Sequence, residues 1–211
     1  RRNMAIVSNR NDSIWKSVRT VYPDATHYAC MWHIWKNVCG YYRRSQHTLS
    51  SLYYAMARAY RHDVFEQLMI EMEATDPRVT EYLADVGYDK WARVYAPVNR
   101  GRMMTSNIAE CVNSCLADAR RLPLLEFLEK ARELFARWNV VNGDKARYMS
   151  SSLLGDTFQD ILRDNIALST RLTAVKNSEC THTVDAEGIR YIVKLKQRTC
   201  TCNKFQYDGI P

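Results

Sequence analysis

The stretch from Thr105 to Ser114 sets one carboxylate, Glu110, between two amides, Asn107 and Asn113, each three residues away. On a helix these residues share a face with Ser106 and Ser114, while Ile108, Cys111, Val112, Cys115, Leu116 and Ala119 share the opposite, apolar arc. Asn and Ser compete with the helix backbone for hydrogen bonds, so they are unusual choices for a merely solvated face. A carboxylate framed by amides suits a metal or polar-substrate site. The same residues also fit a helix start, with Asn107 as N-cap and Glu110 as the return arm of a capping box.

Three other groups carry potential chemistry. Cys30-Met31-Trp32-His33 is a Cys-x-x-His pair at a strand-to-helix junction: half of a zinc site, or a buried thiol and a hydrogen-bonded imidazole that organise the junction. Asn9 stands at the carboxyl end of a short strand, where open α/β sheets place functional groups. Phosphodiester chemistry there needs carboxylates bridged by divalent ions, and the amide of Asn9 brings no charge to Mg²⁺. Asp12, three residues on, fits a helix start instead. Finally, Cys200 and Cys202 flank Thr201 at a strand end, so both thiols can reach one metal ion. A structural zinc site takes four ligands, and Cys180 with His182 offers one possible completion.

These residues need elements to hold them. Ala5–Ser8 and Thr26–Cys30 have strand character, each running into a helical stretch, about Ser13 to Val21 and Met31 to Tyr42. From Leu49 to about Val86 apolar residues recur at helical spacing, as Leu52, Met56, Ala59 and Tyr60, then Phe65, Leu68, Met69 and Met72. Pro77 opens a further helix carrying Val79, Tyr82 and Leu83. Pro123 opens a long one with Leu124, Phe127, Leu128, Ala131, Leu134, Phe135 and Trp138 on its apolar face. A polar break at Asn139–Lys145 separates it from a last helical region, about Thr157 to Thr170. Three short strands follow near Thr173–Val175, Cys180–Val184 and Arg190–Leu195, with Asp185-Ala186-Glu187-Gly188 as a turn. The fold class is α/β and mostly helical, with a boundary near Leu172 that gives domains of residues 1–171 and 172–211.

Composition sets the outer limits. The 211 residues are 46% hydrophobic and 25% charged, which fits a globular domain. No apolar run reaches the roughly 18 residues of a membrane span, so no membrane partner is expected. Arg1-Arg2-Asn3-Met4 resembles neither an initiator nor a signal peptide, and the chain is expected to begin inside a longer protein. A net charge of +7 permits nucleic-acid binding through phosphate neutralisation. Seven irregularly spaced cysteines do not suggest a disulfide framework, and Cys111 and Cys115 are expected to be buried thiols in a reducing compartment.

Taken in order, several of these segments resemble plant Mutator-like (MULE) transposases and their domesticated relatives, the far-red-response regulators. The likeness is carried by Ala5–Ile14; by Tyr22-Pro23-Asp24-Ala25 with His27, Cys30, His33 and Asn37; and by Met104–Glu110 with Asn113. It continues through Ala119-Arg120 to Pro123 and the helix to Trp138, and ends with Cys200-x-Cys202, Phe205 and Gly209-Ile210-Pro211. The last block is similar to the first half of a SWIM-type zinc finger.

The resemblance implies a partial ribonuclease-H-like core with a helical insertion at about residues 45–100, followed by a small β-rich zinc-finger segment. It implies a nuclear, DNA-handling protein and an Asp-Asp-Glu site using Mg²⁺ or Mn²⁺, with Glu110 as third acid. Cys30, His33, Asn107 and Asn113 fall in that site's neighbourhood. Asn9 stands where the second acid belongs, the first acid belongs upstream of Arg1, and a Cys-x-His completing the zinc finger belongs after Pro211. The expectation is a chain that binds DNA weakly and electrostatically and is not catalytic as it stands. Cys200 and Cys202 are its Zn²⁺ ligands, and Asn203–Pro211 is mobile. Other readings are an active transposase in the full-length parent, or a zinc-dependent module that binds protein partners or a second copy of itself.

Overall fold

The computed structural model describes residues 4–42, 46–149 and 155–209. Arg1–Asn3, the near edge of the expected insertion at residue 45, and Ile210 and Pro211 lie outside the described residues. By contact the chain divides into two units. One comprises the residues up to Ser106 with Lys176–Thr183 and the chain from Tyr191 onward; the other comprises Asn107–Val175 with Val184–Arg190.

The first unit begins with a β-α-β element. Strand β1 (Ala5–Ser8) pairs in parallel with β2 (Thr26–Ala29), Ala5 opposite Thr26 and Ser8 opposite Ala29. Helix α1 (Asp12–Val21) joins them, and its N-cap is Asn11, whose side-chain oxygen accepts from the amides of Ser13 and Ile14. Helices α2 (Met31–Tyr41), α3 (Gln46–Ala57), α4 (His62–Thr75), α5 (Pro77–Val86) and α6 (Tyr88–Trp91) follow. Asp76 ends α4 and caps α5, accepting from the Arg78 amide, with Pro77 at the first helical position. Its carboxylate is paired with Arg78 at 2.8 Å, which holds its pKa below the usual range.

The apolar stripes of these helices converge on one core. Ile34, Val38, Leu49, Tyr53, Met56, Phe65, Met72, Val79, Leu83 and Trp91 are all buried there. Each large apolar side chain withdrawn from water contributes roughly 1.5–3 kcal/mol. Two of the aromatic side chains in the core place their polar atoms on main-chain carbonyls: Tyr53 donates to the Met31 carbonyl at 2.9 Å, and Trp91 Nε1 to the Leu83 carbonyl at 3.2 Å.

The second unit holds α7 (Asn107–Cys115), a 3₁₀ turn (Ala119–Arg121), α8 (Leu124–Tyr148) and α9 (Asp156–Ser169). Two expectations need correction here. Helix α8 runs unbroken through Asn139–Lys145, since every residue there except Gly143 is tolerated in a helix and no proline interrupts the hydrogen-bond ladder. The apolar arcs are also mostly uncovered. Within α7 no residue is buried, Cys111 and Cys115 are exposed, and in α8 only Leu134 is buried. Periodicity names the face a helix would bury; whether a partner covers it depends on what else packs there.

A small antiparallel sheet of order β3 (Thr173–Lys176), β4 (Thr181–Ala186), β5 (Ile189–Lys194) and β6 (Thr199–Cys200) follows, and the chain ends in helix α10 (Lys204–Asp208). Glu187 and Gly188, both with positive φ, make the two-residue turn between β4 and β5. Among the described residues no helix is long and apolar enough to cross a membrane.

Candidate functional site

Two places gather the residues that carry chemistry. At the carboxyl ends of β1 and β2, Ser8 Oγ lies 2.7 Å from both the Asn9 carbonyl and His27 Nε2. His27 stacks on Trp15 with ring centroids 4.0 Å apart, and the Trp15 indole donates to the Asn9 carbonyl at 3.2 Å. Asn9 Oδ1 accepts from the Asn11 amide at 3.4 Å, so its side chain serves the turn that launches α1. A cavity of about 200 Å³ beside this turn is lined by Arg10, Asp12, Trp15, Ala29, Asp85 and Lys90. Two carboxylates and two cations share it. Among the described residues neither Asp12 nor Asp85 belongs to a group of three metal-ligating side chains within 4.8 Å.

Cys30 sits beside this edge. Its amide donates to the Ser8 carbonyl at 2.8 Å, and its fully buried sulfur accepts from the Ser106 amide at 3.4 Å. The thiol thus fastens the junction, and its sulfur also lies within 4.8 Å of a ring nitrogen of His33, so both readings of the Cys-x-x-His pair fit this geometry. His33 is half-buried one turn along α2, with its ring edge against Trp32, and Asn37 donates to the Tyr82 hydroxyl at 3.2 Å. In the second unit, Asn107, Glu110 and Asn113 are all exposed on α7. Asn107 is the helix's first residue, which leaves Glu110 in the first turn, where the helix dipole favours a carboxylate. Asn113 accepts from Arg120 at 2.8 Å.

The second place is the turn after β6. Cys200 lies opposite Val193 in the β5–β6 ladder and is 5% exposed; Cys202 is half-buried. The Cys202 amide donates to Cys200 Sγ at 3.4 Å. Burial pushes the Cys200 thiol up to about 11, so a metal ion would have to displace its proton. Two soft sulfurs with one residue between them, the first receiving an N–H···S bond, fit half of a tetrahedral zinc shell. Cys180 and His182 do not complete it: among the described residues no three of Cys180, His182, Cys200 and Cys202 lie within 4.8 Å. The register decides this, since Cys180 precedes β4 and its carbonyl accepts from Leu195, beyond the end of β5.

A family model for the SWIM zinc finger matches residues 182–211. This segment is a SWIM zinc finger. No curated protein matches the chain, and no solved structure does. The match covers the turn that carries Cys200 and Cys202 and implies Zn²⁺ binding by the SWIM segment.

Where a mobile tail was expected from Asn203 onward, the described residues form a helix. Asn203 takes a left-handed conformation, φ 65°, and α10 begins at once, with Phe205 buried. Gly209, also left-handed, ends the helix by donating its amide to the Phe205 carbonyl at 2.9 Å. Of the residues that hold this helix, Asn99, Arg102, Gln206 and Asp208 escaped the sequence reading, and Tyr60 entered it only as a member of an apolar stripe. Asn203, a residue type tolerant of the left-handed region, was the one local signal.

Proposed function

We propose that this chain is part of a MULE-type transposase or a transposase-derived nuclear regulator, in which a SWIM segment binds Zn²⁺ and the body engages DNA through its positive charge. The observation that carries this reading is the SWIM match at residues 182–211, at the end of a chain whose earlier motifs stand in MULE order. The parallel β1–α1–β2 element and the helical bulk of α3 to α6 are compatible with a ribonuclease-H-like core and its insertion. Cys200 and Cys202 would hold zinc through their thiolates, with the family's Cys-x-His as the second pair.

Strand transfer is not assigned to this chain. Asn9 occupies the second-acid position, and a neutral amide cannot replace a metal-bridging carboxylate. A Zn²⁺ titration of the chain beside Cys200→Ser and Cys202→Ser tests the reading: zinc uptake lost in both variants supports it, and uptake unchanged in both refutes it. A second reading, a protein-interaction module, is favoured by the exposed apolar side chains of Leu124, Leu125, Leu128 and Phe135 on α8. Sedimentation of the chain alone and with duplex DNA separates the two.

A further inference from the structure

The SWIM segment is fastened to the helical body by polar contacts that its zinc ligands do not require. Asn203 donates to the Tyr60 carbonyl at 3.1 Å. Asn99 Nδ2 donates to the Gln206 carbonyl at 2.9 Å. At the end of α10 the Asp208 side chain is 2% exposed, and its Oδ2 accepts from the Tyr60 hydroxyl at 2.7 Å and from Arg102 at 3.2 Å. Arg93 lies over the Tyr60 ring, 4.4 Å from its centroid.

A buried carboxylate is tolerated only where donors and a cation meet it; Tyr60 and Arg102 meet Asp208 at Oδ2, while its Oδ1 is buried with no hydrogen-bond partner among the described residues. A five-residue helix is also too short to hold by itself. Helix α10 is therefore ordered by the body. The same helix carries Gln206, whose side-chain amide meets both main-chain groups of Cys200, so the docked helix shapes the dithiol turn.

We infer that Tyr60, Asn99 and Arg102 form an intramolecular dock for the Asp208 helix, and that docking sets the metal affinity of Cys200 and Cys202. The second half of this inference rests on the zinc reading above. Linkage is reciprocal: if docking tightens metal binding, metal binding tightens docking by the same factor.

The test has two arms, both on the full chain with Tyr60→Phe and Asp208→Asn. The first needs no metal. Hydrogen exchange at the Tyr207 and Gly209 amides, which close α10, should speed up roughly three- to tenfold in either variant, the effect of losing one buried hydrogen bond. Unchanged exchange in both variants overturns the dock. The second arm measures Zn²⁺ affinity by competition with a chromogenic chelator, and a weakening by a similar factor is expected. Weakened protection with unchanged zinc affinity overturns the linkage while leaving the zinc reading intact. Failure of the parent chain to bind zinc refutes the zinc reading and the linkage together, and the first arm then judges the dock by itself. If Asp208→Asn lowers helix content, Tyr60→Phe, which removes a single oxygen, carries both comparisons.

Discussion

Gln206 grips both main-chain groups of Cys200: its Oε1 accepts from the Cys200 amide and its Nε2 donates to the Cys200 carbonyl, each at 2.9 Å. One side chain thus closes the loop that presents the Cys200 thiol, the first of the two proposed zinc ligands. Removing it strands polar groups beside a buried residue, which costs about 1–3 kcal/mol. Gln206→Ala is expected to weaken Zn²⁺ binding about tenfold, measured by chelator competition, and to speed exchange of the Cys200 amide. Gln206→Glu keeps an acceptor and loses the donor, so it should fall between. Equal affinities in all three chains would show that Gln206 does not position the thiol.

His27 makes stability depend on pH. Burial lowers its pKa from the ordinary 6.5, and its Nδ1 is buried without a hydrogen-bond partner among the described residues. The unfolded chain therefore takes up this proton at a higher pH than the folded one. Stability should fall as pH drops from about 7.5 through 6.5, level off below the folded pKa, and be insensitive to His27 above the window. Urea unfolding across that range should show a shallower slope in His27→Gln than in the parent. The same slope in both would place the titration elsewhere.

The two units should respond differently to truncation of apolar side chains. Phe65 is buried among Tyr88, Trp91 and Tyr95, and Phe65→Ala should destabilise by about 3–5 kcal/mol. Leu125 on α8 is 74% exposed, and Leu125→Ala should stay within about 0.5 kcal/mol. Denaturant midpoints of the two variants check this. A large effect at Leu125 would mean that α8 is covered in solution.

Duplex binding should be non-specific and steeply salt-dependent, since the proposed contacts are to phosphates: about 0.9 log unit of affinity per phosphate contact for each decade of salt. Titrations at several salt concentrations with unrelated duplexes measure the slope. Strong preference for one sequence, insensitive to salt, would contradict the proposal. Incubation with Mg²⁺ or Mn²⁺ should give no end-specific nicking, and Asn9→Asp alone should not create it. Nicking by the parent that disappears in Glu110→Gln would overturn that expectation.

Local chemistry determined much of this chain before any packing was considered. Strands at Ala5–Ser8 and Thr26–Ala29, the proline starts at Pro77 and Pro123, the turn at Glu187-Gly188 and the thiol pair Cys200 and Cys202 all follow from signals within a few residues. The core of α2 to α6 was legible too, because its stripes were long and found each other. Tertiary structure decided the rest. It left the arcs of α7 and α8 mostly uncovered, because periodicity specifies a face and not its partner. It kept Cys180 and His182 away from the thiol pair, because strand register is set by pairing across the sheet. And it ordered α10, whose anchor joins Asp208 to Tyr60 across 148 residues of chain, a distance over which no local pattern can specify a hydrogen bond.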